Sequence, residues 1–508
     1  MTTTSLEQLD RWFHRGDGGL QDQLAIVTRS GDGWEEVTYR DLDRSSADTA
    51  ARLAEAGVQP GDRVGLLAPS GGEWTSAFLG ILRRGAVVVP FDLKLTPDEL
   101  GQLCARSRLS AAVVSVDQAA RWPGTGPVLD PARPSPGVSP NGSGGADYAH
   151  PPTDPAMLVW TSGTAGAPKG VVLSLANLGY VVERARIGQD VTRETRWLSV
   201  LPPNHLLELC VGLLPALEAG STTFVARTVV PDELVALLVE TEADTMVVVP
   251  MILRLLKRSI EIQSLKPGVR LGAVGCGGAP IDPDVVSFFD RLGVAVYPGY
   301  GLTEAAPTVA MNTPEHHRLG SVGPPLPGTE VRISAEGEIL VRSPAVMLGY
   351  WEDGAGTQEA VDPDGWLHTG DLGHLDADSY LFVTGRAKSL IVLDSGKKVQ
   401  PEEVELALAR SELFAESCVV GWSGGHQMTG EQVCAVVVPK ARFSAAHPDR
   451  AGLEEAAAGE VRRVTSGLSG FKRPSVVRVH EGELPKTAKR SVRQSEVLRL
   501  LEEQEVRG

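Results

Sequence analysis

Short runs of β-branched and other apolar residues recur along the chain, separated by longer stretches with helical spacing. Ala86 to Pro90 (AVVVP), Thr245 to Pro250 (TMVVVP) and Leu271 to Cys276 (LGAVGC) are continuous apolar runs bounded by turn residues, the pattern of strands buried on both faces of a parallel sheet. A helix start is written into Leu95 to Leu100 (LTPDEL): Thr96 can cap, Pro97 suits the first turn, and Glu99 can close a capping box. Strands alternating with helices predict an α/β fold with a largely parallel sheet. From Pro127 to Pro155 the chain is rich in Pro, Gly and Ser, which predicts a surface loop without fixed structure; strand-like residues resume at Met157.

The pattern changes over the last ~120 residues. Cys418 to Trp422, Gln432 to Pro439 and Ser475 to Val479 read as strands, with helices near Pro401 to Ala409 and Leu453 to Leu468. A small α+β unit after Arg386 follows from this, beside a large N-terminal domain of mostly parallel sheets flanked by helices. The expected division is 1–387 and 388–508.

Composition narrows the class. With 508 residues the chain exceeds one ordinary core, and 42% apolar with 22% charged residues describes a globular protein. A formal net charge of −16 argues against nucleic acid or an anionic membrane as a general partner, so any anionic substrate must be held by local donors. The five cysteines (Cys104, Cys210, Cys276, Cys418, Cys434) are odd in number and form no CxxC pair, which fits a reducing cytoplasm and neither a disulfide framework nor a zinc site. The N-terminus lacks the apolar core of a signal peptide, and no window approaches ~20 uninterrupted apolar residues.

Three strings carry candidate chemistry. Thr161 to Gly170, TSGTAGAPKG, follows the strand-like MLVW and concentrates Ser162, Gly163, Thr164, Gly166 and Lys169 in one turn. Such a turn can present successive backbone N–H groups, hydroxyls and an ammonium to phosphate oxygens. It does not match GxxxxGK[ST], so it is not a kinase-type P-loop; a flexible surface turn is the alternative. Tyr297 to Pro307, YPGYGLTEAAP, places Tyr300, Gly301, Thr303 and Glu304 just beyond a strand, where residues of an open α/β sheet face a ligand. There Tyr300 could stack on a base, Thr303 donate to phosphate, and Glu304 hold Mg²⁺ as a hard oxygen ligand. Asp364 to Gly373, DGWLHTGDLG, is followed by GRAKSLI, and supplies Asp371 and Arg386, suited either to gripping ribose hydroxyls or to forming a buried ion pair at a turn.

In this order, with PSGGEWTSAFLGILRRGAVVVPFD before them and GCGGAP and GEILVRSPAVMLGYW between, these strings resemble the adenylate-forming superfamily of acyl-CoA synthetases, nonribosomal-peptide adenylation domains and beetle luciferases. The resemblance covers nearly the whole chain. It implies ATP, Mg²⁺ and coenzyme A as cofactors and co-substrates. It implies that Thr161 to Lys169 form the phosphate loop, with Thr164 and Glu304 at the metal. Gly277, Gly278, Ala279 and Pro280 with Tyr300 would hold adenine, and Asp371 and Arg386 ribose. Lys388 falls at the family's hinge, making the C-terminal domain mobile. The family also supplies a C-terminal lysine that bridges carboxylate and α-phosphate. The usual ending LPKTxxGKxxR is here Leu484 to Arg493, LPKTAKRSVR, so Lys489 is the candidate and Lys486 the runner-up; a basic surface tail is the alternative.

Amino-acid-activating relatives place an Asp in the fourth motif to pair with the substrate ammonium. Here Leu201 to Leu209, LPPNHLLEL, has His205 instead, and LPxxHxxE resembles the long-chain fatty acyl-CoA ligases. A hydrophobic acid without an α-amine, fatty or bulky and natural-product-like, is expected, with His205 gating the acyl or thiol channel. An acyl carrier protein is an alternative thiol donor. Luciferase-like oxidation and a non-catalytic nucleotide- or acyl-binding relative are further alternatives.

Overall fold

The computed structural model describes residues 5–14, 18–31, 33–132, 148–149, 151, 153–161, 168–263, 269–393, 395, 397–423, 431–486 and 492–505. Two compact units emerge: one of Met1–Val331, Val341–His368 and Ala377–Leu381, the other of Arg332–Leu340, Thr369–Asp376 and Phe382–Gly508.

The first unit is α/β, as the alternating pattern predicts. One sheet runs, in spatial order, Ala310–Met311, Ala295–Tyr300, Ala273–Cys276, Thr245–Val248, Arg196–Ser199, Thr222–Val225, Leu24–Ser30 and Gly33–Thr38. Its inner neighbours are parallel, with antiparallel pairs only at the two edges. A second sheet runs Gly349–Tyr350, Lys169–Ser174, Pro155–Thr161, Val87–Pro90, Arg63–Leu67, Ala111–Val114 and Val128–Leu129. Helices cover them, and the cores contain Trp12, Trp74, Trp197, Phe78 and Phe289, all essentially inaccessible. Burial on both faces is why the strands are written as unbroken Val/Leu runs rather than as alternations.

Local signals set several boundaries. Thr96 accepts from the Glu99 amide while the Glu99 carboxylate takes the Thr96 N–H, and Pro97 opens the helix Pro97–Ser107. Thr38 with Asp41 and Ser174 with Asn177 form two further capping boxes. The Pro127 to Pro155 reading needs correction at its start: Val128–Leu129 pairs with the strand Ala111–Val114, and Leu129 is buried. One apolar residue beside an open sheet edge outweighs the turn-rich composition around it. Most of the rest of that segment lies outside the described residues.

The second unit carries the predicted α+β pattern. Phe414–Trp422, Gln432–Pro439 and Val476–Val479 form a three-stranded sheet, packed by Pro401–Leu408, Arg450–Val464 and Gln494–Glu505. Residues 332–340, 369–376 and 382–386 of this unit contribute to a four-stranded sheet. Among the described residues no helix is long and apolar enough to cross a membrane.

Candidate active site

In the first unit three predicted segments meet one row. The parallel strands Arg196–Ser199, Thr245–Val248, Ala273–Cys276 and Ala295–Tyr300 are consecutive in their sheet, so their carboxyl ends lie side by side. Those ends deliver His205, Gly277 to Pro280, and Tyr300 with Gly301. This is the edge of an open sheet where ligands bind. Gly278 has φ +84°, and a Cβ on Gly277 would lie 3.3 Å from a Leu207 methyl, so the turn needs its two glycines. A Cβ on Gly301 would overlap the Pro307 carbonyl.

The glycine-rich string is a hairpin loop, not a strand-to-helix turn. Pro155–Thr161 and Lys169–Ser174 are antiparallel, and Thr161 pairs with Lys169, its hydroxyl reaching the Lys169 carbonyl at 3.3 Å. The loop ends are thereby closed by the sheet itself. Ser162, Gly163, Thr164 and Gly166 lie outside the described residues, so the phosphate-loop reading rests at its two ends, Thr161 and Lys169.

Thr303 and Glu304 form a single 3₁₀ turn, Thr303–Ala305, after Tyr300. The Tyr350 hydroxyl donates to Glu304 Oε1 at 2.8 Å, and the Lys169 ammonium stands 4.3 Å from the Tyr350 ring centroid. Burial, then the neighbouring Glu304 carboxylate, push the Tyr350 phenol above its ordinary range, so it stays a proton donor. The backbone behind Glu304 is anchored through a helix cap: Asn177, the buried partner in the Ser174 box, donates to the carbonyls of Pro344 (2.7 Å) and Val346 (3.1 Å), and the Met347 N–H donates to the Glu304 carbonyl (2.9 Å). The set Lys169, Tyr350 and Glu304 thus arises from three distant stretches.

His205 caps the short helix Leu206–Glu208, and its Nε2 lies 3.5 Å from Asp92 Oδ2. Burial alone would raise the Asp92 carboxyl, but hydrogen bonds from His205 and the Lys94 N–H outweigh it and hold the group below its ordinary range. Asp92 is therefore committed to a partner already present.

The second unit holds the Asp371–Arg386 pair, Nε to Oδ1 at 2.8 Å, with Asp371 3% exposed and Arg386 open to solvent. Thr369 fixes the turn, accepting from the Asp371 N–H (3.0 Å) while donating to Ile339 O (2.7 Å), and Gly370 at φ +69° donates to Glu338. A Cβ on Gly385 would overlap the Gln400 amide oxygen and come within 2.9 Å of Glu402. Burial raises the Glu402 carboxyl, offset by Arg386 and reinforced by Asp371. Gln400 Oε1 and Glu402 Oε2 are buried without a partner among the described residues, so this glycine-lined corner carries acceptors in excess of its donors.

At the end of the chain, Lys486 is ion-paired to Glu416 (2.5 Å) and Glu483 (3.1 Å). Lys489 lies outside the described residues, as does the side chain of Lys388, whose backbone is in the 3₁₀ turn Ala387–Ser389. Sequence reasoning missed Tyr350, Asp92, Asn177, Gln400 and Glu402. Tyr350 and Asp92 stood inside the strings GYW and PFD that were quoted for the resemblance, without a role.

The residues fit Mg²⁺ and ATP. Glu304 Oε2 has no hydrogen-bonding partner among the described residues, and no cluster of three or more His, Cys, Asp or Glu side chains is present there. One hard carboxylate oxygen without such a cluster around it suits a cation that draws its remaining ligands from phosphate and water, not one that needs an all-protein cage.

An α/β unit in which a hairpin end presents the Lys169 ammonium and a turn beyond a parallel strand presents the Glu304 carboxylate, both against Tyr350, has the donor set of a nucleotide-dependent enzyme. The sequence pattern of the AMP-binding enzyme family matches residues 14–351, and that of the AMP-binding enzyme C-terminal domain matches 403–490: the chain belongs to this family, whose ligases use ATP, Mg²⁺ and coenzyme A. It is 32% identical to a feruloyl-CoA synthase of Amycolatopsis sp. over 92% of this chain and 94% of that one. It is 30% identical to an indoleacetate–CoA ligase of Aromatoleum aromaticum (97% and 98% covered) and to a long-chain-fatty-acid–CoA ligase of Mycobacterium bovis (78% and 77%). Among solved structures, ATP-bound MatB from Rhodopseudomonas palustris superposes with a TM-score of 0.82 at 27% identity, over 97% of this chain and 98% of that one.

Proposed function

We propose that this chain is an AMP-forming acyl-CoA synthetase acting in the cytoplasm on a hydrophobic carboxylic acid that lacks an α-amine. The observation that carries the reading is the closed hairpin ending at Lys169, with Glu304 held beside it by Tyr350. In the first half-reaction a carboxylate oxygen attacks the α-phosphorus of ATP, the bond to the leaving pyrophosphate breaks, and a mixed anhydride forms. In the second, the coenzyme A sulfur attacks the acyl carbon, the thiol proton is lost, and AMP departs.

Two anions meet in the first step, so cationic and amide donors dominate it. Lys169 and the hairpin amides bind phosphate oxygens, Thr303 donates to phosphate, and Asp371 with Arg386 takes the ribose hydroxyls. Mg²⁺, held by Glu304 and Thr164, supplies charge neutralisation on the phosphates when bound. Gly277 to Pro280 with Tyr300 and Gly301 take adenine. We assign the bridging lysine to Lys489 and the hinge to Lys388, with domains 1–387 and 388–508.

The substrate class follows from His205 and Asp92. An α-ammonium needs an available carboxylate, and Asp92 is already engaged by His205 and the Lys94 amide. The relatives named for feruloyl, indoleacetate and long-chain fatty acids agree with a sizeable apolar acid. Pyrophosphate release should be measured with ATP, Mg²⁺ and fatty, aryl and polycyclic acids, with thioester formation followed by mass after adding coenzyme A. At least one apolar acid should give both products; release stimulated only by amino acids, or none across the panel, rejects the assignment.

A further inference from the structure

Lys169 and Glu304 carry opposite charges at one site, yet no ion pair joins them among the described residues. An ammonium and a carboxylate that pair partly cancel the two charges that a metal–nucleotide complex requires. Tyr350 contacts both groups. Its hydroxyl donates to Glu304 Oε1 at 2.8 Å, and its ring takes the Lys169 ammonium 4.3 Å from the centroid.

The tyrosine is itself pinned. The strand Gly349–Tyr350 is antiparallel to Lys169–Ser174, with Tyr350 opposite Val171. The Tyr350 N–H donates to Thr357 Oγ1 (2.8 Å), and the next residue's N–H donates to the Gly170 carbonyl (2.7 Å). Gly349 at φ +146° brings the chain against Thr357, where a Cβ would meet a methyl at 2.9 Å. The same sheet strand that carries Lys169 therefore also positions the phenol, so ammonium, ring and carboxylate keep a fixed order.

We infer that Tyr350 is a positioning residue that separates Lys169 from Glu304, fixing one carboxylate oxygen so that the other is kept for Mg²⁺ and the ammonium is kept for phosphate. The inference rests on the ATP-dependent reading above. It distinguishes the two functions of the side chain: the hydroxyl orients the metal ligand, while the ring face holds the lysine.

The test is calorimetric binding of ATP to the full chain across a Mg²⁺ titration, with Mn²⁺ binding followed by electron paramagnetic resonance as an independent readout. Tyr350→Phe keeps the ring and removes one hydrogen bond to a charged group. It should raise the metal concentration for half-saturation about tenfold and leave ATP affinity at saturating metal within about twofold. Tyr350→Leu should show the same metal defect and weaken ATP about fivefold more, because the ring face is lost as well. Melting temperature and the acid concentration for half-saturation should be unchanged in Tyr350→Phe. A metal titration within twofold of wild type overturns the inference, as does an equal shift of metal and acid saturation with a lowered melting temperature, the mark of a purely structural residue. Wild-type chain without metal-dependent ATP binding would remove the activity reading, and this inference with it.

Discussion

Two glutamates of the first unit, about a hundred residues apart in sequence, show how the same side chain is turned to different ends. Glu304 is half-buried, with one oxygen on the hydroxyl of Tyr350, whose ring takes the Lys169 ammonium. Glu208 is fully inaccessible: its Oε2 accepts weakly from the Leu201 N–H (3.3 Å), while Oε1 has no partner among the described residues. Burial raises the Glu208 carboxyl to about 8, against hydrogen bonds from Ser199 and Leu201 that pull it down, so at neutral pH it is a protonated core residue. One carboxylate is left reachable, the other is neutral and packed. Position three residues after His205 in LPPNHLLEL thus says nothing of availability; the surroundings decide it.

The contrast can be broken at several points. The largest effect is expected at the end of the chain, at the lysine assigned the bridging role. Lys489→Ala should lower pyrophosphate release by about 10²–10³-fold while thiol transfer from a supplied acyl adenylate stays within a few-fold of wild type. Equal loss in both half-reactions would shift the bridging role to another residue. Next, Glu304→Gln should reduce metal-dependent pyrophosphate release by about 10²-fold without changing the melting temperature, because the amide is a poor ligand for Mg²⁺ but fills the same space. If the melting point fell instead, Glu304 would be a structural residue like Glu208.

Asp371→Ala should weaken nucleotide binding about ten- to hundredfold in equilibrium titration, equally for ATP and AMP, since it removes hydrogen bonds to a charged group and leaves Arg386 without its 2.8 Å partner. Glu208→Gln should leave activity intact and change how stability depends on pH. The folded value of about 8 exceeds the ordinary one, so the folded state binds more protons than the unfolded state. Wild-type stability should therefore fall as pH rises from about 5 through 8 and level off above, by a few kcal/mol, while Glu208→Gln flattens that slope in denaturant titrations. A parallel slope in both chains would place the ionisation elsewhere. The smallest effect belongs to Lys486→Ala: its ammonium is engaged by Glu416 and Glu483, so both half-reactions should stay within about threefold, with stability lowered by at most about 1 kcal/mol.

Much of the fold was legible in local chemistry. The helix at Pro97–Ser107 is encoded in four residues, and the parallel strands in runs such as AVVVP that only double-sided burial makes stable. The α+β pattern near the C-terminus followed from strand and helix spacing. Turn composition, by contrast, misread Val128–Leu129, because pairing at a sheet edge depends on which strand lies alongside. The site was legible as separate strings, but not as a set. Asn177 closes the Ser174 capping box, and its amide also holds the carbonyls that lead to Glu304, a role no local pattern marks.

By itself the sequence determined the class of fold and the order of the motifs, because these depend on backbone conformation and periodicity that neighbouring residues impose. Only the tertiary structure decided which charges are paired and which remain for a ligand. Tyr350 reaches Glu304 across forty-six positions and Asp92 meets His205 across more than a hundred, and such distances in sequence carry no local signal. A carboxylate's protonation and reach are set by what the fold packs against it, and that is a property of the assembled chain.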